Sequence, residues 1–90
     1  RRKALVISTA EFNLRNGHSV LLMITSATLS KWVLDVPISD LAGTGLNKPC
    51  IVRMKTFTLD HGLILEICGH LQAKDIGLVQ SALTQVISHQ

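Results

Sequence analysis

The sequence predicts a mainly β domain, a small twisted barrel of short strands with one amphipathic helix laid on it at the C-terminal end. Three observations lead there. Short apolar runs recur between turn residues along most of the chain. No strand–helix–strand alternation of the kind that builds parallel sheets is visible. Only the tail changes to helical spacing, with Ile76, Val79, Leu83 and Val86 on one stripe.

The elements follow in chain order. Ala4-Leu5-Val6-Ile7, bounded by Lys3 and by Ser8-Thr9, reads as a buried strand. Residues 9–13 can make one helical turn, and Asn16-Gly17 is a turn signal. Val20-Leu21-Leu22-Met23-Ile24 is a second buried strand, ending in Thr25-Ser26. Trp32-Val33-Leu34-Asp35-Val36 reads as a third, which Pro37 must end or confine to an edge because it has no N–H to donate. Ser39-Asp40-Leu41-Ala42-Gly43 reads as a short capped turn of helix, and Gly43, Gly45, Asn47 and Pro49 as a loop. Cys50-Ile51-Val52-Arg53-Met54-Lys55 is a fourth strand. After the turn Asp60-His61-Gly62, residues 63–68 alternate cleanly, with Leu63, Leu65 and Ile67 on one face and Ile64, Glu66 and Cys68 on the other. That pattern predicts a fifth strand. The terminal helix is predicted over residues 73–88, with Asp75 in the first turn where the helix dipole favours a carboxylate. Gly77 weakens it by about 1 kcal/mol relative to Ala.

With 90 residues the chain makes one domain. A domain of this size buries only roughly 60–65% of the surface its unfolded chain exposes, so a partner subunit would add stability. A hydrophobic fraction of 47% with 17% charged residues excludes a disordered chain. The scarce aromatics, Phe12, Trp32 and Phe57, are expected in an otherwise aliphatic core. The net charge of +3 leans toward an anionic partner, nucleic acid or acidic peptide. Cys50 and Cys68 have no metal-ligand or CxxC spacing and are expected to be reduced core thiols of a cytoplasmic protein. No apolar run reaches the ~18–20 residues of a membrane span, and no secretory signal is visible. Because Arg1 directly precedes a strand, residues upstream of it are expected.

Arg53 and Lys55 stand two residues apart on a predicted strand, on one face, with Cα atoms roughly 6.5–7 Å apart. Two cations at that spacing suit the clasping of one phosphate, Arg as a planar fork and Lys as a point charge. The bland alternative is a solvated strand face. The hydroxyls of Thr25 and Ser26 can meet phosphate or a base edge, or serve the strand end. Asp60 and His61, after the fourth strand, are candidate general bases, with a solvated turn histidine as the alternative for His61. His18 has a similar turn setting, His70 is expected to pack at a strand end, and His89 belongs to a frayed tail. No catalytic triad, metal-ligand cluster or phosphate-binding glycine motif is present.

Four segments in order resemble the MazF/PemK toxins of type II toxin–antitoxin systems. They are Arg1-Arg2-Lys3-Ala4-Leu5-Val6-Ile7-Ser8, Leu22-Met23-Ile24-Thr25-Ser26, Asp35-Val36-Pro37-Ile38 with Gly45-Leu46 beyond it, and Pro49-Cys50-Ile51-Val52-Arg53-Met54-Lys55 running on to Thr58-Leu59-Asp60. Gly69-His70-Leu71 before the last helix is similar as well. The family's usual strand upstream of the paired arginines is not in this sequence, and its Arg-x-Asp reads Arg53-Met54-Lys55 here. The resemblance implies the CcdB/PemK fold, an SH3-like barrel. It also implies a homodimeric, metal-independent endoribonuclease that needs no cofactor, cuts single-stranded RNA and is neutralised by an antitoxin peptide. On that reading Arg53 and Lys55 are catalytic, and Thr25, Ser26 and Arg2 bind RNA. A catalytically degenerate relative that only binds antitoxin or DNA gyrase is the alternative.

Overall fold

The computed structural model describes residues 2–26 and 31–88. Four strands form one antiparallel sheet in the order β1-β2-β4-β3: β1 (Lys3–Val6), β2 (His18–Ser26), β3 (Val36–Pro37) and β4 (Cys50–Asp60). Helix α1 (Ala10–Asn16) bridges β1 and β2, and α2 (Ala73–Val86) lies across the inner face of the sheet. The long β2–β4 pair is the spine. Its register shifts between Leu22, which faces Thr56, and Met23, which faces Arg53. Met54 and Lys55 are therefore the extra residues of a bulge, a device that re-aims side chains and increases local twist.

The core is aliphatic. Leu22 and Val52 are fully buried at the centre of the sheet, where Val36, Ile38, Cys50, Leu71, Val79 and Ala82 pack around them. Helix α1 begins where Thr9 Oγ1 accepts the Phe12 amide and ends at Gly17, whose φ of 65° takes the left-handed cap. Helix α2 is tied down by Asp75. Its carboxylate is wholly buried and accepts the Ser39 amide (3.2 and 3.1 Å), the Ser39 hydroxyl (2.7 Å) and the Asp40 amide (3.1 Å). Burial pushes the Asp75 carboxyl up, but these donors and the nearby Lys74 charge outweigh it and hold it below the usual carboxylate range.

Several expectations are corrected. The third strand shrinks to Val36–Pro37, because residues 32–35 form a turn in which the Asp35 amide donates to the Trp32 carbonyl (3.3 Å) and Leu34 takes a φ of 68°. It lies on the sheet edge, where Pro37 placed it. Strand β4 runs on to Asp60, and the fifth strand does not form. Asp60 instead caps a 3-10 turn over His61–Leu63. The segment beyond it joins neither edge strand, β1 or β3, and makes no ladder with β4, whose partners among the described residues are β2 and, at Ile51 and Val52, β3. Leu63, Leu65 and Ile67 are left 65%, 75% and 83% exposed. The chain is re-anchored at Gly69, where any Cβ would overlap the Gly43 carbonyl oxygen, and by the His70 amide donating to that oxygen (2.8 Å). Residues 42–44 make a turn, not helix, with the Ala42 amide donating to Asp40 Oδ1 (2.9 Å).

The aromatics are not core residues: Phe12, Trp32 and Phe57 each keep about two-fifths or more of their surface in solvent. Both cysteines are free thiols, Cys50 buried but Cys68 exposed. His70 is exposed, and His89 lies outside the described residues. Among the described residues no helix is long and apolar enough to cross a membrane.

Candidate functional site

The face of the sheet turned away from the core carries the polar cluster. Alternation sends Leu22 and Val52 inward, so Met23 and Thr25 on β2, and Arg53, Lys55 and Phe57 on β4, point the other way. Arg53 is only 8% exposed there. Its Nε donates to Asp35 Oδ1 (3.1 Å) and its Nη2 to Asp35 Oδ2 (2.9 Å), a two-pronged pair that matches the planar guanidinium to the carboxylate. The Arg53 hydrogen bond holds the Asp35 carboxyl below its ordinary range against the opposing effect of burial, and the Trp32 amide adds to it. In return Asp35 raises the Arg53 guanidinium, again against burial.

Trp32 sits over this pair. Its ring centroid is 5.4 Å from the Arg53 guanidinium carbon and 6.0 Å from Lys55 Nζ, the range of cation–π attraction. Lys55 itself is exposed and lines an open groove together with Arg2, Lys3, Met23, Thr56 and Phe57. The β1–β2 ladder pairs Lys3 with Ile24, so Arg2 stands one position beyond it, opposite Thr25. Thr25 and Ser26 end β2, facing Ile51 and Cys50.

Of the expected site residues, the fold thus gathers Arg2, Thr25, Arg53 and Lys55 on the outer face of the β2–β4 pair, whereas Ser26, two residues from Ile24 and opposite Cys50, stands on the inner face and not with them. Arg53 and Lys55 do approach a common point, but that point is the Trp32 ring, and Arg53 is engaged by Asp35. Asp60 and His61 lie elsewhere. Asp60 faces His18, which is about 23 Å from Thr25 by strand rise along β2. There Asp60 Oδ1 accepts the Gly62 amide (2.8 Å), and Oδ2 is 3.7 Å from His18 Nε2. His61 Nε2 is 3.0 Å from the hydroxyl of Ser19, which is itself buried. These groups close the far end of the β2–β4 pair and do not reach the cationic groove.

Asp35 and Trp32 were not expected at the site. The signal was faint: an Asp beside Val36-Pro37 is a turn former as readily as a strand residue. Among the described residues no group of three His, Cys, Asp or Glu side chains could hold a metal ion.

Residues 1–87 match the family model described as PemK-like, MazF-like toxin of type II toxin-antitoxin system. The chain belongs to this family. Its fold is shared by solved MazF structures. A toxin of Mycobacterium tuberculosis superposes with a TM-score of 0.79 at 22% identity, over 96% of this chain and 92% of that one. The M. tuberculosis toxin MazF-mt6 gives 0.77 at 22%, over 93% and 83%. MazF solved with MazE from Deinococcus radiodurans gives 0.79 at 22%, over 100% and 84%. The expected CcdB/PemK-type fold, a mainly antiparallel sheet with one C-terminal helix, is borne out, although β1 and β3 remain open edges among the described residues. No curated protein matches the chain.

Proposed function

We propose that this PemK/MazF-family toxin is a metal-independent endoribonuclease acting on single-stranded RNA in the groove lined by Arg2, Lys3 and Lys55. The supporting observation is the clustering of these exposed cations around Met23, Thr56 and Phe57, on the face that also carries Thr25. In the reaction the ribose 2′-oxygen attacks its own phosphorus and the P–O5′ bond breaks, leaving a 2′,3′-cyclic phosphate and a 5′-hydroxyl. The 2′-OH gives up its proton and O5′ gains one. Arg2 and Lys55 stabilise the charge that builds on the phosphorane, and Thr25 bonds a phosphate oxygen. Arg53 works one step removed, as the partner that fixes Asp35 and Trp32.

Outside the groove, the protein pairs with a second copy in the cytoplasm, and the apolar row Leu63, Leu65 and Ile67 is the surface offered for that contact. The solved MazE–MazF structures of the fold support a cognate antitoxin as partner, and on this reading it covers the groove.

Incubation of the purified chain with a long mixed-sequence RNA in EDTA tests the reading. Cleavage that persists in EDTA, yields cyclic phosphate ends, and drops about 10²–10³-fold in Lys55→Ala or Arg2→Ala is the expected result. Arg53→Ala is a poor probe, because it removes the cation that the partly buried Asp35 is bonded to. One observation favours a second reading, binding without cleavage: among the described residues no carboxylate or imidazole lines the groove. RNA that binds with steep salt dependence yet stays intact would select that reading.

A further inference from the structure

The sole tryptophan of the chain is neither core nor free surface. Trp32 is 46% exposed, yet its backbone is held on two sides. Its amide donates to Asp35 Oδ2 (2.9 Å), and its carbonyl accepts the Asp35 amide (3.3 Å). Asp35 is in turn clamped to β4 through Arg53. Leu34, between them, sits at a φ of 68°, a conformation that a residue with a branched side chain occupies only when its surroundings impose it. The turn therefore presents a large apolar ring in a set position at the rim of the groove, with Lys55 common to both. Leaving it half in water, beside two cations, matches the construction of single-strand binders, in which an aromatic face receives a base while neighbouring cations hold the backbone.

We infer that Trp32 is the platform on which one base of a single-stranded RNA stacks while Lys55 and Arg2 hold its phosphates. This rests on the RNA reading above and adds the base-recognition element to it. Stacking tolerates any base, so Trp32 supplies affinity and positioning and leaves sequence choice to other groups.

Because Trp32 is the single tryptophan, its emission reports its own environment. The probes are a short 2′-O-methyl oligopyrimidine, which cannot be cleaved, and an abasic phosphodiester of the same length. Wild-type emission is expected to quench with the oligopyrimidine and not with the abasic strand. Trp32→Ala, followed by anisotropy of a labelled strand, should bind the oligopyrimidine about 5- to 150-fold more weakly and the abasic strand unchanged, with Trp32→Phe close to wild type. Equal oligopyrimidine affinity in Trp32→Ala, or equal quenching by both strands, would overturn the stacking role while the RNA reading stands. Binding of neither strand by the wild type would overturn both. The wild-type comparison of the two strands decides the matter even if Trp32→Ala does not fold.

Discussion

Each face of the sheet has its own tethered aspartate, and the two are held in opposite ways. On the inner face Asp75 is satisfied by neutral donors, the Ser39 amide and hydroxyl and the Asp40 amide, and it ties α2 to the loop after β3. On the outer face Asp35 is satisfied chiefly by the Arg53 guanidinium, and it ties the Trp32 turn to β4. The inner arrangement fastens two parts of a closed core. The outer one fastens a half-exposed ring beside a cationic groove. Their difference teaches where the domain invests in stability and where it presents groups to a partner: the same residue type serves packing on one side and presentation on the other.

The comparison breaks most readily at the core. Leu22→Ala, at a fully buried position, should destabilise the domain by about 2–5 kcal/mol, seen as a lowered urea midpoint. Lys55→Ala should leave that midpoint within about 0.5 kcal/mol, as for an exposed residue, while weakening RNA binding or cleavage. A comparable loss of stability in both variants would mean that the outer face is structural after all.

Asp75→Ala should cost about 1–3 kcal/mol through the unmatched Ser39 and Asp40 donors, with little effect on the environment of the tryptophan. Asp35→Ala leaves the covered Arg53 guanidinium without this partner and should lower stability as well, but it alone should shift Trp32 emission to longer wavelength as the turn loosens. Fluorescence and chemical denaturation on the two variants separate these outcomes; an emission shift in Asp75→Ala would couple the two faces.

The smallest effect is in acid. Both carboxylates are depressed in the folded state, so each contributes stability that is present above the ordinary carboxylate pKa of about 3.9 and is lost as pH falls through the lower folded value. The melting temperature should be insensitive to these two groups from neutrality to about pH 5, then fall in more acid solution. Asp75→Asn should make that acid limb shallower. A limb as steep as that of the wild type would place the titration in Asp35 alone or in the exposed carboxyls.

Much of this was legible in the sequence, for physical reasons. The apolar runs of β1, β2 and β4, the helical stripe of α2, the turn at Asn16-Gly17 and the strand end or edge at Pro37 all follow from local chemistry, because side-chain period, glycine's freedom and proline's missing donor act wherever the residues fall. Arg53 and Lys55 came out as neighbours for the same reason, as a strand places alternate residues on one face. What the tertiary structure alone decided was pairing. Residues 63–68 have a strand's alternation but pair with no strand of the sheet, and a ladder needs a partner as well as a pattern. Residues 32–35 have a strand's composition, yet Asp35 gains more from the guanidinium of a residue 18 positions away than from a ladder. Asp60 and His61 seem near the cations in sequence but lie at the far end of the β2–β4 pair. Periodicity is local and could be read directly; a charge partner or an open sheet edge is a fact about distant segments, and only the folded chain supplies it.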